Sequence, residues 1–137
     1  KGQDMVPESY HNVFKRYDDA GIHIYAIRDN PWMMQTNPDT GEVTDMQKDV
    51  RLCISNGGTS EECGALQKNT LSDINPALDA YKDIKNITHI DFTPIFCQDG
   101  KCPAIMGNVL VYRDSHHLTN MFVKTMSPFI ENELFKK

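Results

Sequence analysis

No stretch of this sequence is apolar for the ~20 residues needed to cross a bilayer. Its longest apolar runs, such as IHIYAI at 22–27 and GNVLVY at 107–112, fall far short, so no spanning helix is expected. The opening residues KGQDMVPESY lack a signal-peptide core, and any export signal is expected to lie outside the sequence. Basic charge is also scarce: 14 Lys and Arg stand against 19 Asp and Glu, a formal charge of −5, with no basic stripe. That balance excludes nucleic acid or an anionic membrane surface as the main partner. Internal repeats and low-complexity segments are missing, which excludes a solenoid or a disordered linker.

What is present fits one globular domain. With 137 residues, 39% hydrophobic and 24% charged, the chain can bury roughly two thirds of its unfolded surface around one core, with no room for two independent ones.

The four cysteines form two close pairs, CISNGGTSEEC and CQDGKC. Zinc sites favour C-x₂₋₄-C knuckles with a matching second pair or histidines. Gaps of nine and four residues fit zinc less well than disulfides Cys53–Cys63 and Cys97–Cys102, and Asp99-Gly100 favours a tight turn in the second loop. Disulfides imply an oxidising, extracytoplasmic compartment; four reduced cysteines in the cytosol are the competing reading.

Along the chain, Tyr10, Val13, Phe14 and Tyr17 are spaced as one face of a helix over 8–20, ended by Gly21. IHIYAIR at 22–28 reads as a buried strand, and 29–41, rich in turn residues, as a loop leaving its C-terminal end. In open α/β sheets that end is where ligands bind. Residues 45–56 suggest a short helix, and 70–86 a longer one, capped by Thr70 or Ser72 and taking a fresh turn at Pro76. THIDFTPIFC at 88–97 reads as a strand, with Pro94 at an edge or at its end. Residues 107–114 read as extended. The tail from Thr119 has helical spacing through Phe122, Val123, Met126, Phe129, Ile130 and Leu134, with Pro128 expected to kink or restart it. The sum is an α/β pattern around one small sheet.

The densest chemistry is YRDSHHLT at 112–119. A spacing of three can bring the Asp114 carboxylate to Nδ1 of His117, leaving Nε2 free to take a proton from a nucleophile. The plainer readings are a helix cap and solvated histidines. A metal held by Asp114, His116 and His117 is disfavoured, because three ligands in four consecutive residues rarely face one ion well.

The segment CQDGKCPAIMGNVLVYRDSHHLTNMF resembles the closing part of SGNH-type esterase domains, particularly those fused behind the membrane domain of family-three acyltransferases. Such domains show a short cysteine loop, a small apolar approach and a Y-x-D-x-x-H-L-[ST] block, matched here by Tyr112, Asp114, His117, Leu118 and Thr119. Upstream, GIHIYAIRDNPWM looks like their strand and loop, with Asp29, Asn30 and Pro31 in the matching DNP. The resemblance implies a partial three-layer α/β/α sandwich, flavodoxin-like, with a small, mainly parallel sheet. It implies His117 as general base and Asp114 as the residue that orients it. His116, Asp29 and Asn30 are expected to support that pair.

The family's serine nucleophile sits in a GDSH-like block, and its oxyanion-hole Gly and Asn in further blocks. None is present: SNGG at 55–58 lacks the required context, and Ser115, between Asp114 and His117, is poorly placed for attack. Residues 1–137 are therefore expected to be the C-terminal part of one SGNH domain, inactive alone. Its partners would be the N-terminal part of the same domain and a membrane acyltransferase domain, with a partner fragment or a dimer covering the exposed sheet edge. The implied activity is extracytoplasmic O-acyl transfer, most simply of acetyl, or ester hydrolysis. An acyl donor and a cell-envelope glycan or glycolipid would be the substrates, with no cofactor. The competing function is a secreted, non-enzymatic module binding glycan or protein through DNPWMM, although a lone Trp such as Trp32 more often caps a core.

Overall fold

A computed structural model describes residues 4–136. Helix α1, Glu8–Asp19, starts at Pro7 and closes at Gly21, whose φ of +74° is the left-handed turn that glycine adopts at little cost. The Gly21 and Ile22 amides donate to the Asp18 and Tyr17 carbonyls, a Schellman closure. The Asp18 carboxylate then accepts the amides of Lys85 and Asn86, at 3.1 and 2.9 Å, tying the helix end to the strand it precedes in space. Only Phe14 of the expected apolar face is packed, against Tyr81. Tyr10, Val13 and Tyr17 are exposed.

Strand β1, Ile24–Ile27, lies parallel to a later strand over Ile87–Ile90, with Ile24 opposite Ile87 and Ile27 opposite Ile90. Side chains alternate across a strand. Ile24 and Ala26 are therefore buried, Ile24 in a small cluster with Ala77, Tyr81 and Ile84, while Ile90 enters the main core. The two clusters share this strand pair and are not independent cores. Tyr25 and Ile27 are exposed, so β1 is buried on one face only, against the expectation of full burial.

The region expected to be a loop after β1 contains β2, Met34–Thr36, which pairs with β3, Val43–Gln47, as an antiparallel hairpin. Its turn is organised by Asn37, whose side-chain oxygen accepts the amides of Asp39 and Thr40. Helix α2, Val50–Ser55, begins at Asp49, which caps the Leu52 amide at 2.8 Å. The Cys53–Cys63 bond closes the following loop. Gly58 packs so tightly there that a Cβ would lie 2.5 Å from the Cys63 sulfur.

Beyond it come β4, Ala65–Leu66, and two single helical turns, α3, Gln67–Thr70, and α4, Ala77–Ala80. One continuous helix over 70–86 does not form: Thr70 closes α3, and Pro76, lacking an N–H, opens α4. After β5, Ile87–Ile90, the expected strand to Cys97 stops early. The Asp91 side chain accepts the Thr93 amide, and Pro94 lies in the first turn of α5, Thr93–Phe96.

Cys97 and Cys102 are bonded across a turn with Asp99 and Gly100 at φ of +50° and +75°. Strand β6, Lys101–Cys102, pairs antiparallel with β4. Strands β7, Ile105–Met106, and β8, Val109–Leu110, form a hairpin. Helix α6, Asn120–Leu134, is capped by the Thr119 hydroxyl and runs through Pro128 without restarting.

The described residues form four separate two-stranded sheets, one parallel and three antiparallel, so the expected single, mainly parallel sheet does not form among them. Two of the antiparallel pairs, β2–β3 and β7–β8, are hairpins, whose short links can join only antiparallel strands. The fold remains α/β, with helices and small sheets around a main core that includes Met33, Val50, Leu71, Phe96, Tyr112 and Phe122. Replacing both cysteines of either pair by serine is expected to cost about 2–3 kcal/mol, because each bond closes a short loop. A urea titration of each double variant checks this.

Candidate active site

The site forms where two connections meet: the loop leaving β1, residues 29–33, and the segment 111–119 leading into α6. The second is a closed loop. Tyr112 bridges to Leu118, the Arg113 amide donates to the His117 carbonyl at 2.9 Å, and the Thr119 amide donates to Val111. Tyr112 is fully buried behind this loop; burial, helped by the charge of Asp29, pushes its hydroxyl upward in pKa and keeps it neutral.

Inside the loop, Asp114 organises both histidines. One carboxylate oxygen accepts the His116 amide at 3.0 Å and the His117 amide at 2.8 Å; the other lies 2.8 Å from His117 Nδ1. The His116 amide is the largest influence on the carboxyl. Against a smaller opposing effect of burial, it acts with the His117 amide and ring to hold the group well below the usual carboxylate range. An ionised carboxylate can only accept. Nδ1 of His117 therefore carries the proton, and Nε2 of the neutral ring is left with a lone pair. The His117 side chain is 55% exposed and lines an open cavity of about 560 Å³.

The loop from β1 braces this arrangement. Asn30 donates from its side chain to the His116 carbonyl at 2.8 Å, and the Met33 amide donates to the Ser115 carbonyl at 2.7 Å. Asp29 accepts the Trp32 indole N–H at 3.0 Å, and the indole stacks on His116 with ring centres 4.4 Å apart. The Thr70 hydroxyl clamps the Trp32 backbone, accepting its N–H at 2.6 Å and donating to its carbonyl at 2.7 Å. Trp32 lies outside both core clusters and is 37% exposed, so it does not cap the core.

Asp114, His116, His117, Asp29 and Asn30 thus come together. Sequence reasoning missed Gln47, which hydrogen-bonds the Ser115 hydroxyl, and Thr70. Both arrive from distant elements, with no local pattern to mark them.

Neither serine weighed from the sequence reaches His117. Ser115 Oγ lies 3.0 Å from His116 Nδ1, and Ser55, at the end of α2, donates to the Leu52 carbonyl. Ligand atoms of Asp114, His116 and His117 lie within 4.8 Å of one another, a metal-like spacing. Both Asp114 oxygens, however, already accept donors from the two histidines.

A tyrosine, an aspartate and a histidine at this spacing, on a loop behind a cysteine turn, coincide with a family match. The model of the SGNH domain, described as fused to AT3 domains, matches residues 3–132. The chain belongs to this SGNH family. Membership supports acyl-transfer or esterase-type chemistry as the general class, and an AT3 membrane acyltransferase domain as its companion. No curated protein and no solved structure matches the chain.

Proposed function

We propose that this SGNH domain moves an acyl group, acetyl in the simplest case, onto or off a hydroxyl of a cell-envelope glycan or glycolipid on the outer side of the membrane. The observation that carries the reading is the 2.8 Å contact between Asp114 and His117 Nδ1, with the imidazole bordering an open cavity. Two disulfides support the extracytoplasmic placement.

The chemistry is serine acyl transfer. A serine hydroxyl attacks the acyl carbonyl while Nε2 of His117 takes its proton, forming a tetrahedral adduct and an imidazolium paired with Asp114. The adduct collapses as the imidazolium returns the proton to the leaving oxygen. The acyl-serine then passes its acyl group to water or to a sugar hydroxyl by the same steps. Residues 1–137 contribute the base and the carboxylate as the C-terminal part of one SGNH domain, within a three-layer sandwich completed by the part that bears the serine. No cofactor takes part.

The alternative, a non-enzymatic glycan- or protein-binding module, leaves the Asp114–His117 pair without a task. A simple comparison separates them. The 137-residue chain should hydrolyse 4-nitrophenyl acetate no faster than buffer with free imidazole, whereas the AT3-fused protein should transfer labelled acetyl to glycan. Failure of the fused protein to transfer acyl groups overturns the enzymatic reading.

A further inference from the structure

Trp32 is the one tryptophan in the sequence, and the fold holds it still at the edge of the cavity that contains His117. Three constraints fix it: the Asp29 carboxylate on its N–H, the Thr70 hydroxyl on both of its backbone polar groups, and the His116 ring on one face. The residue is 37% exposed and lines the cavity, so part of it stays open to a ligand. An aromatic ring this constrained binds a partner with little further loss of conformational freedom.

The surroundings select the partner. Asp29, Asn30, Arg113 and Asn120 line the same cavity as the indole. Asp29 and Asn30 already bond Trp32 and His116, but Arg113 and Asn120 are exposed. A purely apolar ligand would strip water from these two without replacing it, at a cost. A purely ionic ligand would make no use of the indole face. A pyranose ring meets both demands, because it has a C–H face to lie on the indole and hydroxyls at its rim for the polar side chains. Trp32, Asp29 and Asn30 also border a second cavity of about 660 Å³, lined by Phe14, Tyr25 and Met34. A sugar on Trp32 would therefore lie beside both cavities.

We infer that Trp32 is a specificity-determining residue, the platform on which the acyl-bearing or acyl-accepting pyranose lies while His117 works on its hydroxyl. The inference rests on the acyl-transfer reading for the identity of the reaction, but its binding arm does not. Because Trp32 is the sole tryptophan, fluorescence of the 137-residue chain reports on this site alone.

Titration with a panel of methyl pyranosides and their O-acetyl esters should give a saturable change with at least one member, and none with open-chain sorbitol. No response to any pyranoside, or an equal response to sorbitol, overturns the inference whether or not acyl transfer is observed. In the AT3-fused protein, Trp32→Ala should reduce kcat/KM for the sugar ester about tenfold more than for 4-nitrophenyl acetate, chiefly through KM, and Trp32→Tyr should recover part of the difference. Equal losses on both esters would show Trp32 to be merely structural. Absence of acyl transfer in the unmodified protein, with pyranoside binding intact, would overturn the acyl-transfer reading and leave the platform standing.

Discussion

His117→Ala in the AT3-fused protein is expected to lower acyl transfer by roughly 10⁴-fold or more, and Asp114→Asn by about 10³–10⁴-fold. The two losses arise differently. Without the imidazole, the base that takes the serine proton and returns it is lost. With asparagine at 114, the ring remains, but the uncharged amide no longer selects the tautomer that bears its proton on Nδ1. An amide nitrogen facing the ring can stabilise the opposite tautomer, whose Nε2 already carries a proton and cannot act as a base.

Residues that act as a unit are not additive, so the double variant should be little worse than His117→Ala alone. His117 is largely exposed, and its removal should leave the thermal midpoint near that of the unmodified protein. Asp114→Asn tests more of the fold, since the same carboxylate holds two backbone amides. Steady-state transfer assays with a thermal melt of each variant separate loss of chemistry from loss of structure.

The largest expected effect on stability lies at the end of β1. Arg28 is 9% exposed and satisfies three groups at once: it binds Asp4 through Nε at 2.8 Å, Asp91 through Nη1 at 3.0 Å and the Ser72 carbonyl through Nη2 at 2.6 Å. Asp4 in turn accepts the Ser72 amide at 2.6 Å. This cluster joins the segment before α1, the ends of β1 and β5, and the stretch between α3 and α4.

Arg28→Met leaves the buried Asp4 charge unpaired and should cost about 3–5 kcal/mol. Urea titration should show a lower midpoint with little change in slope. Adding Asp4→Asn should recover part of the loss by removing the unpaired charge.

The cluster also has a definite pH signature. Burial is the largest influence on both Asp4 and Asp91, and it pushes them upward. The combined hydrogen bonds and charge outweigh it, with Arg28 and Ser72 acting on Asp4, and Thr93 and Arg28 on Asp91, so both are held below the usual carboxylate value. A carboxyl depressed in the folded state contributes stability above its unfolded pKa and loses it as pH falls through the folded one. In Arg28→Met, burial acts on Asp4 without its cation and favours the protonated form. The gap between variant and unmodified protein should therefore narrow between about pH 7 and about pH 3.

The parts of this molecule that a linear reading reaches are those with a local physical cause. The period of Phe122, Met126 and Ile130 and the hydroxyl of Thr119 specify α6 and its start, and Gly21 supplies the left-handed residue that ends α1. Asp114 and His117 are legible because they stand three positions apart on one closed loop. Where the cause is tertiary, the reading goes astray. The turn-rich composition of 29–41 hides β2, because its partner β3 lies beyond the turn. Tyr10, Val13 and Tyr17 have helical spacing, yet only Phe14 finds a partner in Tyr81. Arg28 looks like the polar end of an apolar strand, and its three partners come from positions 4, 72 and 91. Trp32 reads as a core residue by type; its place beside His116 depends on the meeting of two loops more than 80 residues apart, measured from Asn30 to His116 at a separation of 86.

The central claim is that His117, oriented by Asp114, activates a serine. An alkyl fluorophosphonate tests it directly, because the reagent phosphonylates a serine, with loss of fluoride, at a useful rate only when a base takes the hydroxyl proton. Labelling should be followed by mass spectrometry in the AT3-fused protein and in its His117→Ala variant. The expected result is rapid labelling of one serine in the former and labelling slowed by at least about 10³-fold in the latter. Equal labelling of the two proteins, with the variant folded, would contradict the account.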